Sequence, residues 1–187
     1  KIFNAAVLFG PDGEILAHHR KINILGIARD LYEIGDRLQV AETRFGRIGL
    51  VICADNFPDS LVHAHSLCRM GARMILSPSA WAVVANHDNT IDQYGAMWKT
   101  AYSSISGLYD VVVVGVSNVG WVTGGPWEGQ KCIGNSLAFG PGGELIMECS
   151  HGENAHELRT FQVEIPPAAA LGTDVSGMLR ERGYTGP

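Results

Sequence analysis

The sequence has few cysteines, no long apolar run and no excess of basic residues, and each shortage removes a class of function. Its four cysteines, Cys53, Cys68, Cys132 and Cys149, include no C-x-x-C pair. A thioredoxin-type redox centre, a zinc knuckle and a disulfide scaffold therefore lack support. So low a density predicts free thiols in a reducing compartment, the cytoplasm. No stretch approaches the roughly 20 apolar residues that a membrane helix needs. The longest apolar run, Val111 to Val116, is short and nearly all valine, as a strand buried on both faces would be. The formal net charge is -5 without any Lys/Arg run, which argues against a nucleic-acid partner.

What remains is an ordinary globular balance, 46% apolar and 18% charged over 187 residues, enough for one domain with a real core. Ile2 to Phe9 and Glu14 to Arg20 read as strands around Gly10-Pro11-Asp12-Gly13, a strong turn signal. A short helix is expected over 27–34, and a buried strand over 47–52 ending at Cys53. A helix capped by Asp59 should run to about Met70, with Leu61, Ala64 and Cys68 on one face and Leu67 and Met70 close by. Further strands are expected at 73–76 and 111–116, with a helical stretch at 90–108 between them. The Gly- and Trp-rich residues 119–134 read as loop. Residues 135–139 and 144–149 flank a second Gly-Pro turn, and 158–165 reads as a last strand before a Pro/Ala/Gly-rich tail. The two Gly-Pro turns echo one another, Leu8-Phe9-Gly-Pro-Asp-Gly-Glu against Ala138-Phe139-Gly-Pro-Gly-Gly-Glu. They are either two hairpins with common turn chemistry or a pseudo-symmetric pair of β-layers. Strands alternating with helices and followed by hairpins fit an α/β sandwich in a single domain, residues 1–187. The chain opens without Met on a run that already reads as strand, so it is expected to begin inside its domain.

Cys53 falls between a buried strand and a helix. A strand-to-helix turn pushes a side chain out at the sheet edge and aims backbone N–H groups at it, which favours the thiolate. A lone cysteine is more often a small buried hydrophobe, and position alone does not choose between the two.

The neighbouring motifs do. Asn4-Ala5-Ala6, Pro11-Asp12-Gly13 and His19-Arg20-Lys21 stand in order before Gly49, Cys53, Asp55, Phe57 and Pro58. Gly71-Ala72 with Pro78-Ser79-Ala80-Trp81 follows, then Gly115, Asn118 and Gly120, then Gly134, Ser136, Pro141 and Gly143. In this order they resemble the nitrilase (carbon–nitrogen hydrolase) superfamily along nearly the whole chain. The resemblance implies an α-β-β-α sandwich whose N-terminal part is absent, and pairing into a homodimer or larger homo-oligomer. It implies a Glu-Lys-Cys triad with Cys53 as nucleophile and Lys21 as its cationic partner. The Ala54 N–H would share the oxyanion. The catalytic Glu would lie upstream of this chain, and Glu33 is the choice for a second carboxylate.

The substrate would be a small linear amide or N-carbamoyl compound, cleaved through a thioester. Nitrile hydrolysis, N-acyl transfer by the same site and a non-catalytic family member are the alternatives; a papain-like Cys-His hydrolase finds no matching context. Asp55 is expected to hold the nucleophile loop rather than react. Trp81, Asn118, Trp121 and Trp127 are candidates to line a substrate mouth. No cofactor is implied, and no metal site: His63 and His65, two apart on a helix, do not face each other, and His18 and His19 point to opposite faces of a strand. Cys68 and Cys149 read as buried. Cys132, beside the Gly-rich loop, is incidental and open to exposure.

Overall fold

Turn chemistry starts the fold. In a computed structural model that describes residues 1–186, the Gly10 N–H donates to the Glu14 carbonyl at 2.8 Å. This folds β1 (Ala5–Phe9) back on β2 (Ile15–Arg20) as an antiparallel hairpin. A single 3-10 turn at Gly26–Ala28 stands where a helix over 27–34 was expected. β3 (Val40–Thr43), absent from the sequence reading, pairs antiparallel with β4 (Gly46–Leu50).

The Cys53–Asn56 segment is a 3-10 turn, and α1 (Val62–Arg69) starts only after a second such turn at Pro58–Ser60. Asp59 lies in that turn and does not cap α1, whose N-cap position is Leu61. α1 buries Ala64, Leu67 and Cys68, the three- and four-residue spacing of one helical face. β5 (Met74–Ser79) leads into the two-residue β6 (Ala82–Val83). α2 (Gly95–Tyr109) buries Trp98, Ala101, Tyr102, Ile105 and Tyr109 along one side.

The valine run forms β7 (Val112–Ser117), with Val111, Val112 and Val113 fully buried. Residues 119–134 are not simply loop: β8 (Val119–Trp121) and β9 (Lys131–Ile133) pair antiparallel, and β9 also pairs with β6. β10 (Leu137–Phe139) and β11 (Leu145–Glu148) form the second hairpin. Residues 158–165 carry no strand. They pair with no strand among the described residues, and Leu158 is 92% exposed. The Pro/Ala/Gly tail instead ends in a helix, α3 (Asp174–Glu181), which inserts Val175 and Leu179 into the core. Arg73 holds the tail by donating to the Pro166 and Pro167 carbonyls, both at 3.0 Å.

The main sheet has six strands in the order β11-β10-β7-β5-β4-β3. β4, β5 and β7 are parallel at its centre. The aromatic-rich core under α1 and α2 covers one face. Hairpin β1–β2 covers part of the other, with Ala6, Leu8, Leu16 and Ala17 against Ala41, Leu50 and Leu76. The described residues thus supply one helical layer, the main sheet and a β-layer on its far side. No helix among them is long and apolar enough to cross a membrane.

Candidate active site

Ligand sites in open α/β sheets gather beyond the carboxyl ends of parallel strands. Here β4 ends just before Cys53, β5 ends at Ser79 and β7 at Ser117. Cys53 has φ 48°, in the left-handed region, a conformation that costs a non-glycine residue about 1–2 kcal/mol. The bend turns its side chain off the strand line and into a cavity of about 420 Å³. Lys21, the residue after β2, lines the same cavity.

Two networks fix these residues. The Lys21 backbone is held on both sides: its N–H donates to the Asn4 carbonyl at 2.8 Å, and its carbonyl accepts from the Gly35 N–H at 2.9 Å. Asp55 joins the loop after β2 to the turn after β4. It is fully buried. Its carboxylate accepts from His19 Nε2 at 2.7 Å, from the backbone N–H of Ile22 at 3.0 Å and of Asn23 at 2.7 Å, and from its own turn through the Ile52 N–H at 3.1 Å. Asn23 Nδ2 also donates to the Ala54 carbonyl at 3.1 Å. Burial would push the Asp55 carboxyl up, but the His19 hydrogen bond, the backbone donors and the His19 charge outweigh it and hold it below the ordinary range.

Electrostatics at Cys53 pull both ways. Burial raises the thiol above its ordinary value; Lys21 is the largest influence against this, followed by the Ala80 and Ala54 N–H groups and the Ser79 hydroxyl. Lys21 is only 7% exposed. It enters no ion pair among the described residues, and no carboxylate lines the cavity with it. A buried ammonium without a counter-ion is costly to keep. Such groups concentrate where charge is used.

The family model described as Carbon-nitrogen hydrolase matches residues 1–170. The chain belongs to the carbon–nitrogen hydrolase family. An (R)-stereoselective amidase from Pseudomonas sp is 28% identical over 157 residues, covering 83% of this chain and 51% of the amidase. A chloroplastic omega-amidase from Arabidopsis thaliana is 28% identical over 170 residues, covering 82% of this chain and 40% of its own. This carbon–nitrogen hydrolase chain therefore spans about half or less of the length of these curated relatives. A solved carbon-nitrogen hydrolase from Helicobacter pylori G27 shares the fold, with a TM-score of 0.75 at 20% identity over 98% of this chain and 62% of that one. The fold is thus the α/β sandwich of the nitrilase type.

Of the residues singled out from sequence, Cys53, Lys21 and Trp127 meet in one cavity. Others do not. Trp81 is fully buried and stacks on Trp98 with ring centroids 4.6 Å apart; it is core, because the short β6 folds it under α2 rather than outward. Trp121 is 52% exposed, beside Lys131 on the β8–β9 ribbon. Asn118 is exposed and links strand ends, its N–H donating to the Ser79 carbonyl at 3.3 Å. The Glu33 carboxylate turns to Lys1 at 3.5 Å, away from the cavity wall. Cys132 is buried in β9, and Cys149 only half-buried. His63 lies 3.9 Å from Asp55 while His65 meets the Tyr109 hydroxyl. Ser79 and Ala80 stand at the thiol, and within Pro78-Ser79-Ala80-Trp81 the sequence signals only the tryptophan as a candidate side chain. The wall built by residues 24–32 carries no motif.

Proposed function

We propose that this cavity hydrolyses the C–N bond of a small linear amide or N-carbamoyl compound through a thioester at Cys53. The Cys53 sulfur attacks the carbonyl carbon, forming a C–S bond and moving the π electrons onto oxygen. The Lys21 ammonium and the Ala54 N–H stabilise that oxyanion. Collapse breaks the C–N bond, and the nitrogen leaves with a proton as ammonia or an amine. Water then attacks the thioester and releases the acid and the thiol. The raised Cys53 thiol and a cavity wall without carboxylates call for a general base from outside the described wall, the part the family resemblance assigns to a Glu. The observation that carries the reading is Lys21, a buried lysine that has no counter-ion among the described residues and lines the same cavity as the thiol. Assembly into a homodimer or larger homo-oligomer and residence in the cytoplasm belong to the same reading.

Ammonia release from a panel of linear amides by the full-length protein tests it. Turnover should vanish in Cys53→Ala. Persistence of turnover in that variant would sink the proposal.

A further inference from the structure

We infer that the Ser79 hydroxyl donates a hydrogen bond to the Cys53 thiolate, and that Ser77 and Tyr102 are positioning residues that aim it. This rests on Cys53 being the nucleophile of the reading above and concerns how its sulfur is kept reactive. Strand register puts the serine beside the cysteine. β4 and β5 run parallel with Leu50 opposite Leu76, and the Val51 N–H extends the ladder by donating to the Leu76 carbonyl at 3.1 Å. Three residues beyond the Leu50–Leu76 pair stand Cys53 after one strand and Ser79 on the other. Both line the cavity. The Ser79 hydroxyl is among the groups that favour the thiolate against burial.

Behind Ser79 lies a file of hydroxyls. Ser77, two residues back on β5 and so on the same face, is buried, and its Oγ lies 3.5 Å from Ser79 Oγ. Tyr102 of α2 is fully buried. Its hydroxyl sits beside Ser77 and Ser79 without meeting hydrogen-bond geometry in the resting arrangement. Gly115 pairs with Ser77 across β5 and β7 and leaves no room for a Cβ against that phenol. Burial holds the Tyr102 phenol well above its ordinary range, so it keeps its proton and serves as a donor. The donors then add up. Tyr102 donates to Ser77 Oγ, Ser77 to Ser79 Oγ, and Ser79 to the sulfur, one proton per hydroxyl. The Ser77 carbonyl, 3.4 Å from Ser79 Oγ, is a weak competitor for the last proton at that distance. A negative sulfur at the end of such a chain polarises each bond toward itself.

Iodoacetamide labelling of Cys53, read by mass on its peptide in the full-length protein, tests this without any turnover. Ser79→Ala should slow labelling about tenfold at neutral pH, the loss of one hydrogen bond to a charged group. The deficit should shrink as pH rises, because a thiol of higher pKa still ionises in base. Ser79→Thr keeps the hydroxyl and should label close to the wild-type rate. Tyr102→Phe removes the far donor, keeps the ring, and should slow labelling about threefold. Wild-type labelling in Ser79→Ala, a deficit that does not change with pH, or a Ser79→Thr as slow as the alanine variant overturns the inference. An unchanged rate in Tyr102→Phe overturns it as well, whether or not Ser79→Ala folds. Any of these results beside steady amide turnover leaves the amidase reading standing. The expected labelling pattern with no turnover of any amide overturns that reading and supports the hydroxyl file.

Discussion

Hairpins β1–β2 and β10–β11 share a turn down to its hydrogen bonds and differ in almost everything around it. Gly10 N–H to Glu14 carbonyl and Gly140 N–H to Glu144 carbonyl are both 2.8 Å; Gly13 N–H to Gly10 carbonyl and Gly143 N–H to Gly140 carbonyl are 3.1 and 3.2 Å. Both ladders shift register at the phenylalanine before the turn. Yet Phe9 is 61% exposed, whereas Phe139 is buried edge-on against Tyr102. Hairpin β10–β11 is zipped to the main sheet through β7. Hairpin β1–β2 pairs with no other strand among the described residues and is held at its exit by the buried Asp55 carboxylate. Turn residues set local geometry, and tertiary surroundings decide what that geometry is for. One hairpin finishes a sheet. The other delivers Lys21 to the cavity.

The largest effects should separate those two roles. Lys21→Ala in the full-length protein should lower kcat by about 100- to 1000-fold while the melting temperature barely moves. Lys21→Arg should not restore activity, because a planar guanidinium directs its donors differently. Phe139→Ala should do the reverse, costing about 3 kcal/mol of stability by chemical denaturation, with Phe9→Ala costing less than about 0.5 kcal/mol. Equal losses at the two phenylalanines would erase the difference between the hairpins.

Acid should distinguish them next. The Asp55 carboxyl is held below its ordinary 3.8 in the folded protein, so its stabilisation is fully present above that value. It is lost as pH falls through the lower folded one. Backbone amides of Ile22 and Asn23, which donate to Asp55, should lose hydrogen-exchange protection in that window before those of β10 do. Simultaneous loss would mean that Asp55 does not anchor the first hairpin separately.

The smallest contrast lies in the turns themselves. Gly13 and Gly143 have φ +82° and +83°, so an alanine is strained at either, by about 1–2 kcal/mol. At Gly13 an added Cβ meets nothing within 4 Å, whereas at Gly143 it would lie 3.0 Å from the Ser103 carbonyl on α2. Gly143→Ala should therefore be the more destabilising of the pair by about 1 kcal/mol, measured as a difference in denaturation midpoint.

Legibility in the sequence followed how local the cause was. The Gly-Pro turns, the valine strand and the inward face of α1 depend on neighbours in sequence, and their residues declare them. β3, β6, β8 and β9 are short, and what makes them strands is a partner far along the chain, which no local pattern records. Residues 158–165 fail in the opposite sense, a strand pattern that pairs with nothing among the described residues. At the site, Cys53 and Lys21 were visible because they sit at strand ends inside motifs. The role of Asp55 as a tie was visible too, although its partners His19, Ile22 and Asn23 were not. Trp81 was misplaced because a tryptophan beside a motif looks the same from sequence whether it stacks under a helix or faces a cavity.

The central claim is that Cys53 carries the acyl group. Full-length protein mixed briefly with hexanamide, quenched in acid and digested should show a hexanoyl mass addition on the Cys53 peptide. None should appear on the peptides of Cys68, Cys132 or Cys149. An adduct on another residue, or steady turnover with Cys53 unmodified at every quench time, would contradict the account.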